Sequence, residues 1–121
     1  MDDGILIIED EAIIALDIAR MVRLLGYSVS GLAGDEQEAL FLAEKKRPAL
    51  ALVDIKLKGG ADGIEVARKL KGQSIPFIFI TAYSDSTVRE RAMKLQPSGY
   101  LLKPINKEEF RKAIKLVMPE R

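Results

Sequence analysis

The sequence predicts an α/β domain: five βα units in succession, forming a parallel sheet with helices on both faces. Three observations carry this. Short apolar runs alternate with longer amphipathic stretches along all 121 residues. The runs at 5–8, 49–53 and 75–80 are apolar without alternation, as strands buried on both faces require. Strand–helix–strand succession within one sheet then takes right-handed crossovers.

The elements follow in order. Ile5-Leu6-Ile7-Ile8 is a strand that stops at Glu9-Asp10-Glu11. From Ala12 a helix pattern places Ile14, Ile18, Met21, Val22 and Leu25 at one spacing, closed by Gly26. Residues 27–32 form a weaker strand. Asp35 caps a helix with Ala39, Leu40, Leu42 and Ala43 facing inward, ending before Pro48. The strand at 49–53 runs into Asp54, and a Gly-rich loop, Lys58-Gly59-Gly60-Ala61, leads to a helix over 63–70. The strand at 75–80 carries Pro76 near its start, where a missing N–H is tolerated, and ends at Thr81. A helix over 85–95 precedes a short strand, 98–102, which ends at Lys103-Pro104. The last helix starts from Asn106 as N-cap and turns Phe110, Ala113, Ile114 and Val117 to one face. With no linker, repeat or low-complexity tract, residues 1–121 are expected to form one domain.

Composition removes whole classes of chemistry. The chain has no cysteine and no histidine, so it offers no disulfide, no Cys- or His-ligated zinc, and no Ser-His-Asp or Cys-His nucleophile. A metal must bind oxygen ligands, and a nucleophile must be a hydroxyl, an amine or a carboxylate. Net charge is −6 over residues 1–54, +3 over 55–84 and +4 over 85–121, for a total of +1. That balance gives no reason to expect direct nucleic-acid binding. Met1-Asp2-Asp3 is no basic n-region, and no apolar run suggests a membrane span. The expectation is a soluble cytoplasmic domain.

In open parallel sheets ligands bind beyond the carboxyl ends of the strands. Glu9 and Asp10 end the first strand, Asp54 the third, Thr81 the fourth and Lys103 the fifth. Taken singly, each acid suits a helix cap and the threonine a turn. Together they gather three carboxylates, a hydroxyl and an ammonium on one rim. Two carboxylates ~4 Å apart repel by roughly 4 kcal/mol at an effective dielectric of 20, so the cluster calls for a bound cation or raised pKa values. Mg²⁺ suits oxygen-only ligands. Asp54 is then placed to attack phosphorus and form an acyl phosphate, with Thr81 and Lys103 on the phosphoryl oxygens.

Five pieces identify a family resemblance: Ile7-Ile8-Glu9-Asp10-Glu11, Leu52-Val53-Asp54-Ile55, Asp62-Gly63-Ile64-Glu65, Ile80-Thr81-Ala82 and Gly99-Tyr100-Leu101-Leu102-Lys103-Pro104. In this order and spacing, over essentially the whole length, the chain resembles the receiver domain of two-component response regulators. It is similar to single-domain chemotaxis-type receivers. The resemblance implies a flavodoxin-like sheet of strand order 2-1-3-4-5. It implies Asp54 as phosphoacceptor, with Glu9, Asp10, Asp54 and the main-chain carbonyl of Lys56 on Mg²⁺, or on Mn²⁺ in its place. Thr81 would bond the phosphoryl group, Lys103 would neutralise it from beside a cis bond to Pro104, and the N–H groups of Lys56 and Ala82 would complete the contacts. Tyr100 matches the family's switch aromatic, paired with Thr81. The partners implied are a histidine kinase or histidine phosphotransfer domain, and a downstream effector protein or domain outside this chain.

Some features are particular to this chain. Glu9 stands where aspartate is also common, and 58–61 lengthens the loop beside the acceptor. No acid precedes Tyr100, which speaks against the charge-paired dimer of many DNA-binding regulators. Tyr83 is expected to restrict water and slow loss of phosphate. Ile13, Leu16 and Arg20 form a stripe beside the core face of the first helix, either a kinase-docking patch or a surface half-buried against a neighbour.

Two other functions fit this sequence less well. A dehalogenase-like phosphatase wants an acid where Lys56 stands, and a flavodoxin or dinucleotide binder wants a Gly- or Thr-rich loop in place of Glu9-Asp10-Glu11. A phosphorylation-independent interaction domain would not need all five site residues. The expectation is therefore a signalling module that catalyses its own phosphorylation and hydrolysis, and not a metabolic enzyme. Ending at Met118-Pro119-Glu120-Arg121, the chain is expected to be a stand-alone receiver or one excised from a longer protein.

Overall fold

The computed structural model describes residues 3–60, 62–82 and 85–119; Ala61 and Tyr83, both singled out above, lie outside them. Five strands, β1 (Ile5–Ile8), β2 (Val29–Ala33), β3 (Leu50–Val53), β4 (Phe77–Thr81) and β5 (Gly99–Leu102), alternate with five helices. These are α1 (Ala12–Leu24), α2 (Glu36–Lys46), α3 (Gly63–Gly72), α4 (Ser86–Met93) and α5 (Lys107–Val117). All paired strands are parallel, as the sequence pattern predicts, in the order β2-β1-β3-β4-β5 that the resemblance implies.

Every residue of β1, β3 and β4 is buried, which explains why those runs are apolar without alternation. Their side chains divide between two cores. Leu6, Ile8, Val53 and Phe79 pack with Ala39, Ala43, Val66 and Leu70 from α2 and α3. Ile5, Ile7, Leu52 and Ile80 pack with Ile18, Val22, Phe110 and Ile114 from α1 and α5. The caps named from sequence form: Asp35 accepts from Glu38 N at 2.8 Å, and Asn106 from Glu109 N at 2.9 Å.

Two local outcomes differ from the sequence-based expectation, and a third decides between two alternatives. The second strand starts at Val29, because Gly26 turns the chain at φ 95° and Tyr27 drops into the core. The Tyr27 hydroxyl donates to the Pro119 carbonyl at 2.7 Å, tying down the C-terminal segment. In α2 the wholly buried residues are Ala39 and Ala43, with Leu40 and Leu42 only partly covered. On α1, Ile13 and Leu16 are 83% and 59% exposed, so the stripe is not buried against a neighbour.

What positions the site is register. Ile8 lies opposite both Ala33 and Val53, and Thr81 opposite Leu102. The ladder runs one residue further: Glu9 N donates to the Ala33 carbonyl, Asp54 N to that of Ile8, and Lys103 N to that of Thr81, each at 2.9 Å. β1 and β3 thus end level, while β4 and β5 end level with each other two residues further on, since Val53 pairs with Phe79; the residues at these ends share one rim. Just past β3 the chain folds back on itself, with Lys56 bridged to Asp62 and Gly63 N donating to the Ile55 carbonyl at 2.6 Å.

That return admits no side chain at position 63. A Cβ there would lie 2.0 Å from the Asp54 carbonyl oxygen and 2.7 Å from Ile55 Cα, backbone atoms that cannot yield. Gly63→Ala is therefore expected to destabilise the chain by about 3 kcal/mol, the upper range for overpacking, measured as a fall in the urea midpoint at unchanged slope.

Candidate functional site

Glu9, Asp54 and Thr81 are the polar residues buried at the rim, with 4%, 7% and 1% of their surface exposed. Polar groups so enclosed need partners. The Lys103 ammonium supplies one to each acid, donating to Glu9 Oε1 at 2.7 Å and to Asp54 Oδ2 at 3.1 Å. Glu9 Oε2 also accepts from Glu11 N at 3.1 Å, and Asp54 Oδ1 receives a long contact from Lys56 N at 3.4 Å. Lys103 leaves β5 just before a cis peptide to Pro104, as the resemblance implies.

Oxygen atoms of Glu9, Asp10 and Asp54 lie within 4.8 Å of one another. All three are hard carboxylate donors, and they suit a small divalent cation with room left for water or phosphate oxygens. The site opens into a cleft of about 910 Å³, lined also by Lys56, Thr81, Ala82 and Lys103. The structure therefore brings together the residues singled out on four strand ends. Tyr100 stands apart from this group: half-buried on β5, its ring packs edge-on to Phe79 at 6.1 Å, with the Arg89 guanidinium 4.7 Å over its face.

The electrostatics follow from burial. Loss of water raises the Glu9 pKa above its usual range; the Lys103 hydrogen bond only partly offsets this, and the Asp54 charge adds to the rise. Burial pulls Lys103 down, but its bonds to Glu9 and Asp54 outweigh that and leave its pKa raised. Burial likewise raises Tyr100.

Two residues of the cleft carried no signal of this role in the sequence. Arg91 of α4 and Asp62 both line it, joined by a 2.8 Å bond from Arg91 Nη2 to Asp62 Oδ2. Asp62 was legible as the start of α3, which it caps through Oδ1 to Ile64 N at 2.9 Å. Its second partner, 29 residues away, is set by how α3 and α4 pack.

A parallel doubly wound sheet with an acidic cleft at its carboxyl rim defines an α/β domain whose candidate site lies at the strand ends. Comparison with known proteins narrows it. The response regulator receiver domain matches residues 5–115, and the chain belongs to that family. It is 40% identical over 115 residues to the transcriptional regulatory protein PdtaR of Mycobacterium tuberculosis, covering 94% of this chain and 56% of PdtaR. It is 47% identical over 87 residues to the phyllosphere-induced regulator PhyR of Methylorubrum extorquens, covering 70% of this chain and 33% of PhyR. The chain thus spans about half or less of the length of these relatives. Among solved structures, the signal receiver domain of a modulated diguanylate cyclase from Desulfovibrio desulfuricans G20 superposes with a TM-score of 0.88 at 37% identity, covering 98% of this chain and 94% of that one. No helix among the described residues is long and apolar enough to cross a membrane.

The raised pKa values fix the sign of a pH dependence. Glu9 holds its proton more tightly folded than unfolded, so its carboxyl weakens the fold as pH rises above 4.5 through its raised value. The Lys103 contribution is fully present below 10.5 and is lost as pH rises through its own raised value. Replacing Lys103 by Met strips the cation from two buried carboxylates. The expected loss is about 3 kcal/mol at pH 7, shrinking near pH 4 where Glu9 is protonated, as read by urea unfolding at both pH values.

Proposed function

We propose that this receiver is a phosphoryl-accepting switch whose acceptor is Asp54. The observation that carries the reading is the setting of that carboxylate. It lies at the edge of an open cleft, 3.1 Å from the Lys103 ammonium, with Glu9 and Asp10 oxygens within 4.8 Å. An Asp54 oxygen attacks phosphorus, the bond from phosphorus to the donor breaks, and the electron pair leaves with the donor. Lys103 offsets the negative charge on the phosphoryl oxygens. Thr81, the last residue of β4, offers its hydroxyl to them, and the main-chain N–H groups of Lys56 and Ala82 serve as further donors. Glu9, Asp10 and Asp54, with the Lys56 carbonyl, would hold Mg²⁺, which shields the approaching anion from the acidic rim.

The donor is a second protein or domain. The chain has no histidine, so a phosphohistidine must be presented by a kinase or phosphotransfer partner. The exposed Ile13 and Leu16, on the helix that follows Glu9, Asp10 and Glu11, offer that partner an apolar landing surface. Output is a population shift involving Thr81, Tyr100 and α4, delivered to an effector outside this chain. The domain works in the cytoplasm as a signalling module and not a metabolic enzyme, and it makes no direct contact with nucleic acid.

Incubation with a small acyl phosphate and Mg²⁺, followed by intact-mass measurement, tests this reading. Wild type is expected to gain one phosphoryl group, Asp54→Asn none, and a chelator to suppress the gain. Equal modification of Asp54→Asn would refute the assignment.

A further inference from the structure

Arg91 joins α4 to the acceptor loop. Its partner, Asp62, is bridged through the backbone to Lys56, and the Lys56 N–H points at Asp54 Oδ1. The guanidinium and the acceptor carboxylate line the same cleft. The Arg91–Asp62 pair is open to water, its side chains 54% and 37% exposed. Such pairs are weak and readily exchanged.

Other anchors of α4 among the described residues are few: Arg89 stacks over the Tyr100 ring at 4.7 Å. Ala92 is its one buried residue among those described, with Val88 and Leu95 partly buried. At its far end the Lys71 ammonium donates to the Leu95 carbonyl at 2.7 Å and to Gln96 Oε1 at 3.3 Å. Two polar ties therefore anchor α4 to α3 and the loop before it, and one of them ends in the cleft.

We propose that Arg91 is an exchangeable guanidinium of the acceptor site: it pairs with Asp62 while Asp54 is free, and turns to the phosphoryl oxygens once Asp54 carries them. This rests on Asp54 being the acceptor. A phosphoryl group offers about two negative charges and three acceptor oxygens, against the single charge of Asp62, and the planar guanidinium fork favours such a group. Because Ala92 follows Arg91 directly, the exchange acts on the turn through which α4 meets the core.

Asp62 allows a clean test, since its two oxygens do separate work. Oδ1 caps α3 and Oδ2 holds Arg91; Asp62→Asn keeps a capping oxygen and removes the charge. The probe is beryllofluoride, a phosphoryl mimic, titrated with Mg²⁺ into the protein and followed by amide NMR. Arg91→Ala is expected to weaken binding roughly tenfold, with Arg91→Lys between it and wild type. Asp62→Asn is expected to tighten binding about threefold, because it removes the competitor, and the double variant should match Arg91→Ala. Opposite signs for the two partners of one ion pair separate exchange from mere support, in which both changes weaken binding. Shifts in the same direction, or none, would overturn the exchange while leaving the acceptor intact. A wild type that does not bind the probe would sink the acceptor reading itself, and the exchange with it.

Discussion

The rim of this sheet depends on one ammonium. Lys103 Nζ is shared between Glu9 Oε1 at 2.7 Å and Asp54 Oδ2 at 3.1 Å, and both acids are buried. Two carboxylates in so little water repel each other and lose hydration, a cost that only a close cation can offset. The raised Glu9 pKa shows that the offset is partial. With Asp10 beside them, the carboxylates remain short of positive charge. That shortage is what a bound cation would relieve, and it underlies the chemistry proposed for Asp54.

The arrangement exists because four parallel strands end on the same side of the sheet, β1 level with β3 and β4 level with β5. Continuous burial of β1, β3 and β4 fixes their register, and the ladder delivers Glu9, Asp54 and Lys103 to the rim by main-chain hydrogen bonds rather than by mobile loops. The close return at Gly63 locks the loop after Asp54 against the strand it leaves. Against this rigid floor, α4 is lightly held, its anchors mostly polar and exposed. Elements with few buried contacts are the first to shift. The molecule thus sets a closely held floor around Asp54 beside a lightly anchored helix.

Much of this was legible in the sequence, for identifiable reasons. Where an apolar run stops at an acid, as at Ile8-Glu9 and Val53-Asp54, the strand end and the site residue are the same signal. The caps at Asp35 and Asn106 are local chemistry and formed as expected. Tyr27 reads as strand because an aromatic stands before a weak edge strand; its core neighbours, and the Pro119 carbonyl that its hydroxyl meets 92 residues away, are set by tertiary packing. On α1 the spacing placed Ile18, Met21 and Val22 on the core face, where they lie, but apolar residues occur nearly all round the first two turns, and only the packing of neighbouring helices decides that Ile13 and Leu16 face water. The Arg91–Asp62 pair was invisible for the same reason: it depends on how helices pack, which no local pattern encodes.

The central claim is that buried carboxylates at the rim carry more negative charge than Lys103 neutralises. Thermal unfolding at pH 7 with increasing MgCl₂, against NaCl of equal ionic strength, tests it most directly. A cation bound only by the folded chain raises the midpoint, and above its Kd the rise follows the logarithm of its concentration. The account predicts such a rise for Mg²⁺ and not for Na⁺, much reduced in Asp54→Asn. Equal midpoints in the two salts, or a Mg²⁺ effect untouched by Asp54→Asn, would contradict it.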